Sequence, residues 1–298
     1  KEAKVIISNH HLLFTDAQSR YISDVDYSEE MILPPFNRLI IDEAHNIEAN
    51  ATEYFTDEYN SKEMLRQIHR IQRTGRYSSK SLLEQLGEYS TEAEIIDRIQ
   101  DDILLLMQEV GTLDQYLLAV FQKNDFQPVL IKVEQQHRLA DFVQAAASVA
   151  EASGRLAAKI NVFLEHNKAP EELDAKITEL KVRGTRISMM SEVLTRFCNF
   201  ELWQDEVHWF NAEANNRDRS VQVRITPLSI APLLVDALFT KLETVVCTSA
   251  TLDLSDQFAF WGSRVGLPYD EDRPFLKGIF LSPFDYKSRL MLLTPSDA

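Results

Sequence analysis

An α/β protein is what the sequence predicts, with part of a parallel sheet interrupted by a large all-helical insertion; three observations carry that expectation. Three short β-branched runs, Lys4 to Ser8 ("KVIIS"), Arg38 to Ile41 ("RLII") and Thr244 to Thr248 ("TVVCT"), are each followed at once by polar residues. That is the grammar of central strands with covered faces. Between about Asp57 and Asp205 apolar residues recur at intervals of three and four, with charge on the opposite faces, as amphipathic helices require. Only 8 of 298 residues are Gly, and the middle is rich in Ala, Leu, Glu, Gln, Lys and Arg, which favours helix over turn-dense β architecture.

Taken in order, the first run leads into "SNHHLL" (Ser8 to Leu13), and the second into "DEAH" (Asp42 to His45). Helices are expected within Thr91 to Val110, Val133 to Asn167 and, after the break at Pro170, on to about Phe200. "RSVQVRITPL" (Arg219 to Leu228) alternates and reads as a strand ended by Pro227. Ser229 to Glu243 reads as a capped amphipathic helix returning to "TVVCT", which would make a βαβ unit. No internal repeat is present, so the insertion is expected to be a bundle or arch rather than a solenoid.

Composition excludes several classes. At 45% hydrophobic residues the chain buries a substantial core, so disorder is not expected. Cys198 and Cys247 show no CxxC spacing, which supports neither a disulfide framework nor a zinc or iron-sulfur site and predicts a reducing, cytoplasmic setting. No uninterrupted apolar run reaches membrane-span length and no signal peptide is evident, so no membrane partner is expected. The start at Lys1 without methionine predicts a piece of a longer protein. A net charge of −15, with no segment basic overall, confines any polyanion site to a local patch.

Ligands of doubly wound sheets bind beyond the carboxyl ends of the strands, where this chain carries its three polar clusters. An aspartate ending an apolar strand is what phosphate-loop NTPases use to hold Mg²⁺ beside the nucleotide phosphates, and Asp42 fits that role. The next carboxylate, Glu43, can polarise an attacking water as a general base. The plainer alternative is that the Asp42-Glu43 pair only caps the helix beginning near Ala44. His10 and His11 also have a plain reading, as histidines satisfied at a strand end.

"IIDEAHNIE" resembles motif II, and "VCTSATL" motif III, of superfamily 2 helicases of the DEAH type. "SNHHLLF", "SPFDY" (Ser282 to Tyr286) and the helical block between the motifs are similar to the XPD and DinG branch, whose first motor domain is interrupted by an arch domain. Order and spacing agree over nearly the whole chain, the motifs themselves only at its two ends. The resemblance implies a partial RecA-like sheet of a phosphate-loop NTPase motor domain over residues 1–56, an all-α arch over 57–205 and the remainder of that motor domain over 206–298. It implies ATP and Mg²⁺ as cofactors and single-stranded DNA as partner, together with the missing N-terminal and C-terminal portions of the same helicase. ATP hydrolysis would drive translocation on the strand and duplex unwinding.

By position, the resemblance gives Asp42 the magnesium, through water, and Glu43 the activation of water. His45, Ser249 and Thr251 would link nucleotide state to the neighbouring motor domain, and Asn9 and His10 match the family's "NH" signature, structural or on the DNA side. A GxxxxGK[ST] loop is absent, as is the arginine-bearing motif of a second motor domain. The isolated chain is therefore expected not to hydrolyse ATP. A 4Fe-4S cluster, common in the branch, could belong to the parent but not to this segment.

For the strand, Arg66, Arg70 and Arg73 fall on one helical face, followed by Arg76, Tyr77 and Lys80. Guanidinium groups for phosphate and an aromatic for stacking suit sequence-tolerant single-strand binding, although such stripes are also ordinary solvated faces. Lys181 to Arg186 ("KVRGTR") is a second candidate. A different class remains open: a non-catalytic nucleic-acid-binding or protein-interaction module that works through the helical insertion.

Overall fold

The computed structural model describes residues 4–72, 80–91, 93–122, 127–199, 201, 204–215, 218–255, 257–268, 275–285, 289 and 291. The chain is mixed α/β, and its described residues form two hydrophobic cores. The smaller is built by α1 (His10–Ser23), β1 (Arg38–Ile41), α2 (Ile47–Tyr54), α8 (Ala231–Leu234), β6 (Thr244–Cys247) and α9 (Ala259–Val265). Strands β1 and β6 pair in parallel, Arg38 opposite Thr244 through Ile41 opposite Cys247. The ladder runs on past both strands: Thr248 N donates to Ile41 O at 2.8 Å and Ala44 N to Thr248 O at 2.9 Å.

The larger core belongs to β2 (Asp57–Asn60), α3 (Ser61–Ile71), α4 (Leu82–Gly87), α5 (Ala93–Gln122), β3 (Val129–Ile131), α6 (Ala140–Glu165), α7 (Asp174–Cys198), β4 (Glu206–Asn215) and β5 (Asp218–Pro227). Long helices form because their apolar residues make one stripe. Ile95, Ile99, Ile103, Leu106, Val110, Leu113, Leu117 and Phe121 of α5 are all buried at helical spacing. By length and composition α5 could cross a bilayer, yet that stripe packs on protein. Helices α6 and α7 approach closely where Gly184 faces Ile160; a Cβ there would lie 3.4 Å from Ile160 Cγ2. Caps fix the helix starts. Asn60 accepts from Lys62 N and Glu63 N, and Ser81 with Glu84 forms a capping box.

Three expectations change. Val5 to Ser8 are not a strand: they run along the surface, Val5 77% and Ile7 94% exposed, with no strand beside them among the described residues. A β-branched run becomes a strand only where a neighbour supplies ladder partners and cover. The alternating run near Arg219 is a strand, β5, but it does not belong to the parallel sheet. It pairs antiparallel with β4 and β2 in a four-stranded sheet ordered β2-β5-β4-β3. Its Val221, Val223 and Ile225 are buried against the helices of the larger core, so no βαβ unit joins β5 to β6. The segment after β5 is helical only from Ala231 to Phe239, its second half a π turn.

Candidate active site

Asp42 follows the last residue of β1, so the strand delivers its carboxylate to the rim. There Thr248, just past β6, donates its hydroxyl to Asp42 Oδ1 at 2.9 Å, and Glu43 N donates to the same oxygen at 3.0 Å. The Thr248 hydroxyl first, then the Glu43 amide, hold the Asp42 carboxyl below the ordinary aspartate range. Asp42 is therefore an exposed, ionised group whose Oδ2 makes no hydrogen bond among the described residues.

Glu43 takes φ 50° and ψ 44°, the left-handed region, unusual for a residue with a Cβ. That turn swings its side chain away from Asp42 and toward His45, whose Nδ1 lies 3.3 Å from Glu43 Oε2 and 2.8 Å from Ser249 Oγ. Neither carboxylate caps a helix. Glu43 makes no side-chain cap bond, and α2 begins behind Asn46 without one. The turn is held instead by its backbone: Ala44 N is bonded to Thr248 O, and Ala44 O accepts from Trp261 Nε1 at 3.2 Å.

The "NH" pair closes the other side. Asn9 is the N-cap of α1, its Oδ1 accepting from Leu12 N at 2.8 Å. His10 Nε2 lies 2.9 Å from the Asp42 carbonyl and Nδ1 lies 3.0 Å from Asn50 Nδ2. A carbonyl can only accept, so Nε2 carries the hydrogen and Nδ1 accepts from the Asn50 amide; the neutral ring satisfies both. His11 Nδ1 meets the Tyr54 hydroxyl at 2.5 Å. The structure thus brings His10, Asp42, Glu43, His45, Thr248 and Ser249 to one rim. Thr251 is exposed and joined to none of them by a hydrogen bond.

The arginine stripe is only partly described. Arg66 forms an ion pair with Glu63, Arg70 is exposed on α3, and Arg73, Arg76, Tyr77 and Tyr286 lie outside the described residues. In the second basic candidate, Arg183 is held by Gln67 and Glu179.

Sequence reading missed Thr248, Asn50 and Trp261 as supports of the DEAH turn. Thr248 stood within a quoted motif, but its bond spans 206 residues of sequence. It also missed Asp16 and Arg20, a fully buried ion pair on α1 (2.7 Å) that anchors the 24–36 loop. Arg20 donates to Asp26 O, Glu29 O and Leu33 O, and Asp16 Oδ1 accepts from Ile32 N and Leu33 N. Asp16 and Arg20 at i and i+4 looked like any surface pair.

No family model matches the chain. It is similar, at 23% identity over 316 residues, to a protein of Bacillus subtilis (strain 168) named 3'-5' exonuclease DinG, covering 98% of this chain and 32% of that protein. It is 23% identical over 300 residues to the ATP-dependent DNA helicase YoaA of Haemophilus influenzae, covering 98% and 39%. It is 23% identical over 313 residues to the ATP-dependent DNA helicase DinG of Photobacterium profundum, covering 99% and 42%. The chain spans less than half the length of each of these curated relatives.

Proposed function

We propose that this chain, DinG-like along nearly its full length, supplies part of the ATP-hydrolysing core of a DNA helicase that moves on single-stranded DNA. One observation carries the reading: across the ends of two parallel strands, Thr248 holds the Asp42 carboxylate while Glu43 and Ser249 share His45. Two separate motifs, about 200 residues apart, are thereby tied into one rim. The β1–β6 pair is read as a piece of a wider RecA-like sheet. Its outer face supports this, since Ile40 is 74% and Val246 43% exposed, and a sheet of this kind is normally covered on both faces. The unit around the larger core is read as the arch; it is not all-α, because the sheet β2-β5-β4-β3 shares that core and carries the unit past residue 205 to β5.

The residues fit a magnesium nucleotide whose ion is reached through water. Asp42 is ionised with one oxygen open, and among the described residues no three His, Cys, Asp or Glu side chains converge into a direct cage. Bound magnesium neutralises charge on the transferred phosphoryl group. The chain's own residues divide the remaining work. Asp42 orients, with Thr248 fixing its rotamer; Glu43 Oε accepts the proton of the attacking water; and His45, between Glu43 and Ser249, registers the change of charge on Glu43 and passes it to the segment after β6. His10 positions the Asp42 backbone rather than touching substrate.

The exonuclease activity named for the Bacillus relative belongs to a protein of which this chain covers 32%, and no residue here is assigned to it. The whole protein is expected to release the short strand of a tailed duplex with ATP and not with a non-hydrolysable analogue. The present chain alone is expected to show no ATP turnover. Failure of the whole protein to release strands under any tailed geometry would refute the helicase reading.

A further inference from the structure

Outside the strand-end rim, the helical unit contains a cleft of about 320 Å³ bordered by His69 and Arg70 of α3, Lys80, Gln85 of α4, and Lys176 and Glu179 of α7. We propose that this cleft binds the phosphodiester backbone of a single nucleic-acid strand, an inference that rests on the DNA-processing reading above and adds a second contact to it.

The charge count within the cleft supports an anion. Glu179 is ion-paired with Arg183 at 3.2 Å, which also reaches Gln67, and Lys80 is paired with Glu88. Those two pairs cancel. Lys176 is held by a neutral partner, its Nζ 2.5 Å from Gln85 Oε1, while Gln85 Nε2 donates to Lys80 O at 2.8 Å. Arg70 makes no ion pair among the described residues. Among the described residues, two cations from two helices therefore face one cleft without an ion-pair partner, in a chain of net charge −15. They make a local positive patch on an otherwise acidic chain, which draws a polyanion to this cleft rather than to the surface around it.

Openness decides between a strand and a small ion. His69, Arg70 and Lys80 are exposed and only Lys176 is half-buried, so the cleft is a trough along which a backbone can pass rather than an enclosure for a free phosphate. Gln85 fixes the Lys176 ammonium in place, so little order has to be gained on binding. The arginine at position 66, paired with Glu63, has no part in it. Sequence spacing selected the stripe; of its described members Arg70 borders the cleft, and the fold adds Lys176 from more than 100 residues away.

The test is fluorescence anisotropy of a labelled 30-mer oligothymidylate titrated with the chain, at several salt concentrations. The doubly substituted Arg70→Gln/Lys176→Gln chain is compared with an Arg155→Gln control on α6, whose arginine is paired with Glu151. Each single-strand phosphate contact contributes about 0.7 to the slope of log K against log salt. The double variant is expected to bind at least about tenfold more weakly at low salt, with a slope shallower by about 1.4, while the control is unchanged and both retain the helical far-UV spectrum. Equal affinity and slope in a folded double variant would overturn the cleft and leave the helicase reading standing. Absence of any strand binding by the unsubstituted chain would also overturn the cleft, whereas the helicase reading falls only with strand release by the whole protein. Competition by inorganic phosphate alone at concentrations where the strand is still bound would point to a free-ion site and overturn the proposal for a strand.

Discussion

Arg20→Met tests how the structure holds the rim's first helix. Arg20 is 2% exposed and Asp16 0%. The guanidinium spends its donors on Asp16 Oδ2 (2.7 Å), Asp26 O (2.6 Å), Glu29 O (3.0 Å) and Leu33 O (3.1 Å), and stacks over Tyr27. Methionine keeps the aliphatic packing but strands an ionised Asp16 and three carbonyls. Removing one partner of a buried pair costs about 3–5 kcal/mol. The two backbone N–H groups that still serve Asp16 Oδ1 moderate this, and the three orphaned carbonyls offset that moderation. A loss of about 4 kcal/mol from the smaller core is expected. Urea unfolding, with hydrogen exchange at the amides of α1 and β1, measures it. The Asp16→Asn/Arg20→Met double variant should lose less than the sum of the two single variants, because the stranded charge is gone. A cost below about 1 kcal/mol at unchanged denaturant slope would refute the reasoning.

Burial pushes the His208 imidazole down to about 4, with nearby Arg196 adding to the fall and Glu206 opposing it. The unfolded chain therefore binds more protons between about 6.5 and 4, so His208 contributes stability that is fully present above the unfolded value and is lost as pH falls through that window, up to roughly 3 kcal/mol; His208→Gln should flatten the urea-midpoint profile there, and an unflattened profile would contradict this. Thr248→Val removes the first cause of the lowered Asp42 pKa, so an Asp42 carboxyl titration by carbon NMR should move upward toward the ordinary range; an unmoved midpoint would deny the cross-strand bond. Phe197 is fully buried and touches Phe142, His208 and Phe210, so Phe197→Ala should cost about 3–5 kcal/mol, and less than about 1 kcal/mol would place it outside the core.

Much of the helical unit was legible because α5, α6 and α7 carry one-sided apolar stripes long enough to fix period and type. The mount for Asp42 was legible for a related reason: "RLII" and "TVVCT" are β-branched runs with partners in register. "KVIIS" has the same local chemistry and no partner strand among the described residues, and local chemistry cannot report a neighbour. Strands β4 and β5 show the limit differently. Alternation marks a strand but not its sheet, and the antiparallel pairing depends on Phe210, Val221 and Val223 meeting the helices of the larger core. At the rim, the motif letters gave the carboxylates, whereas the Thr248 bond, the left-handed Glu43 and the His10–Asn50 relay come from chain segments that only folding brings together. The basic cleft is of the same kind: Arg70 lay in the visible stripe, but Lys176 lies outside both basic runs that the sequence displays and only the fold brings the two together.

The central claim is that the carboxylates beyond β1 hydrolyse ATP. Its most direct measurement is steady-state ATP turnover by the whole protein carrying Glu43→Gln, with saturating single-stranded DNA and nucleotide affinity measured alongside. The amide keeps the shape of the side chain but cannot take the proton of water, so turnover should fall about 100-fold or more with nucleotide affinity retained. Turnover equal to that of the unsubstituted protein would contradict the account.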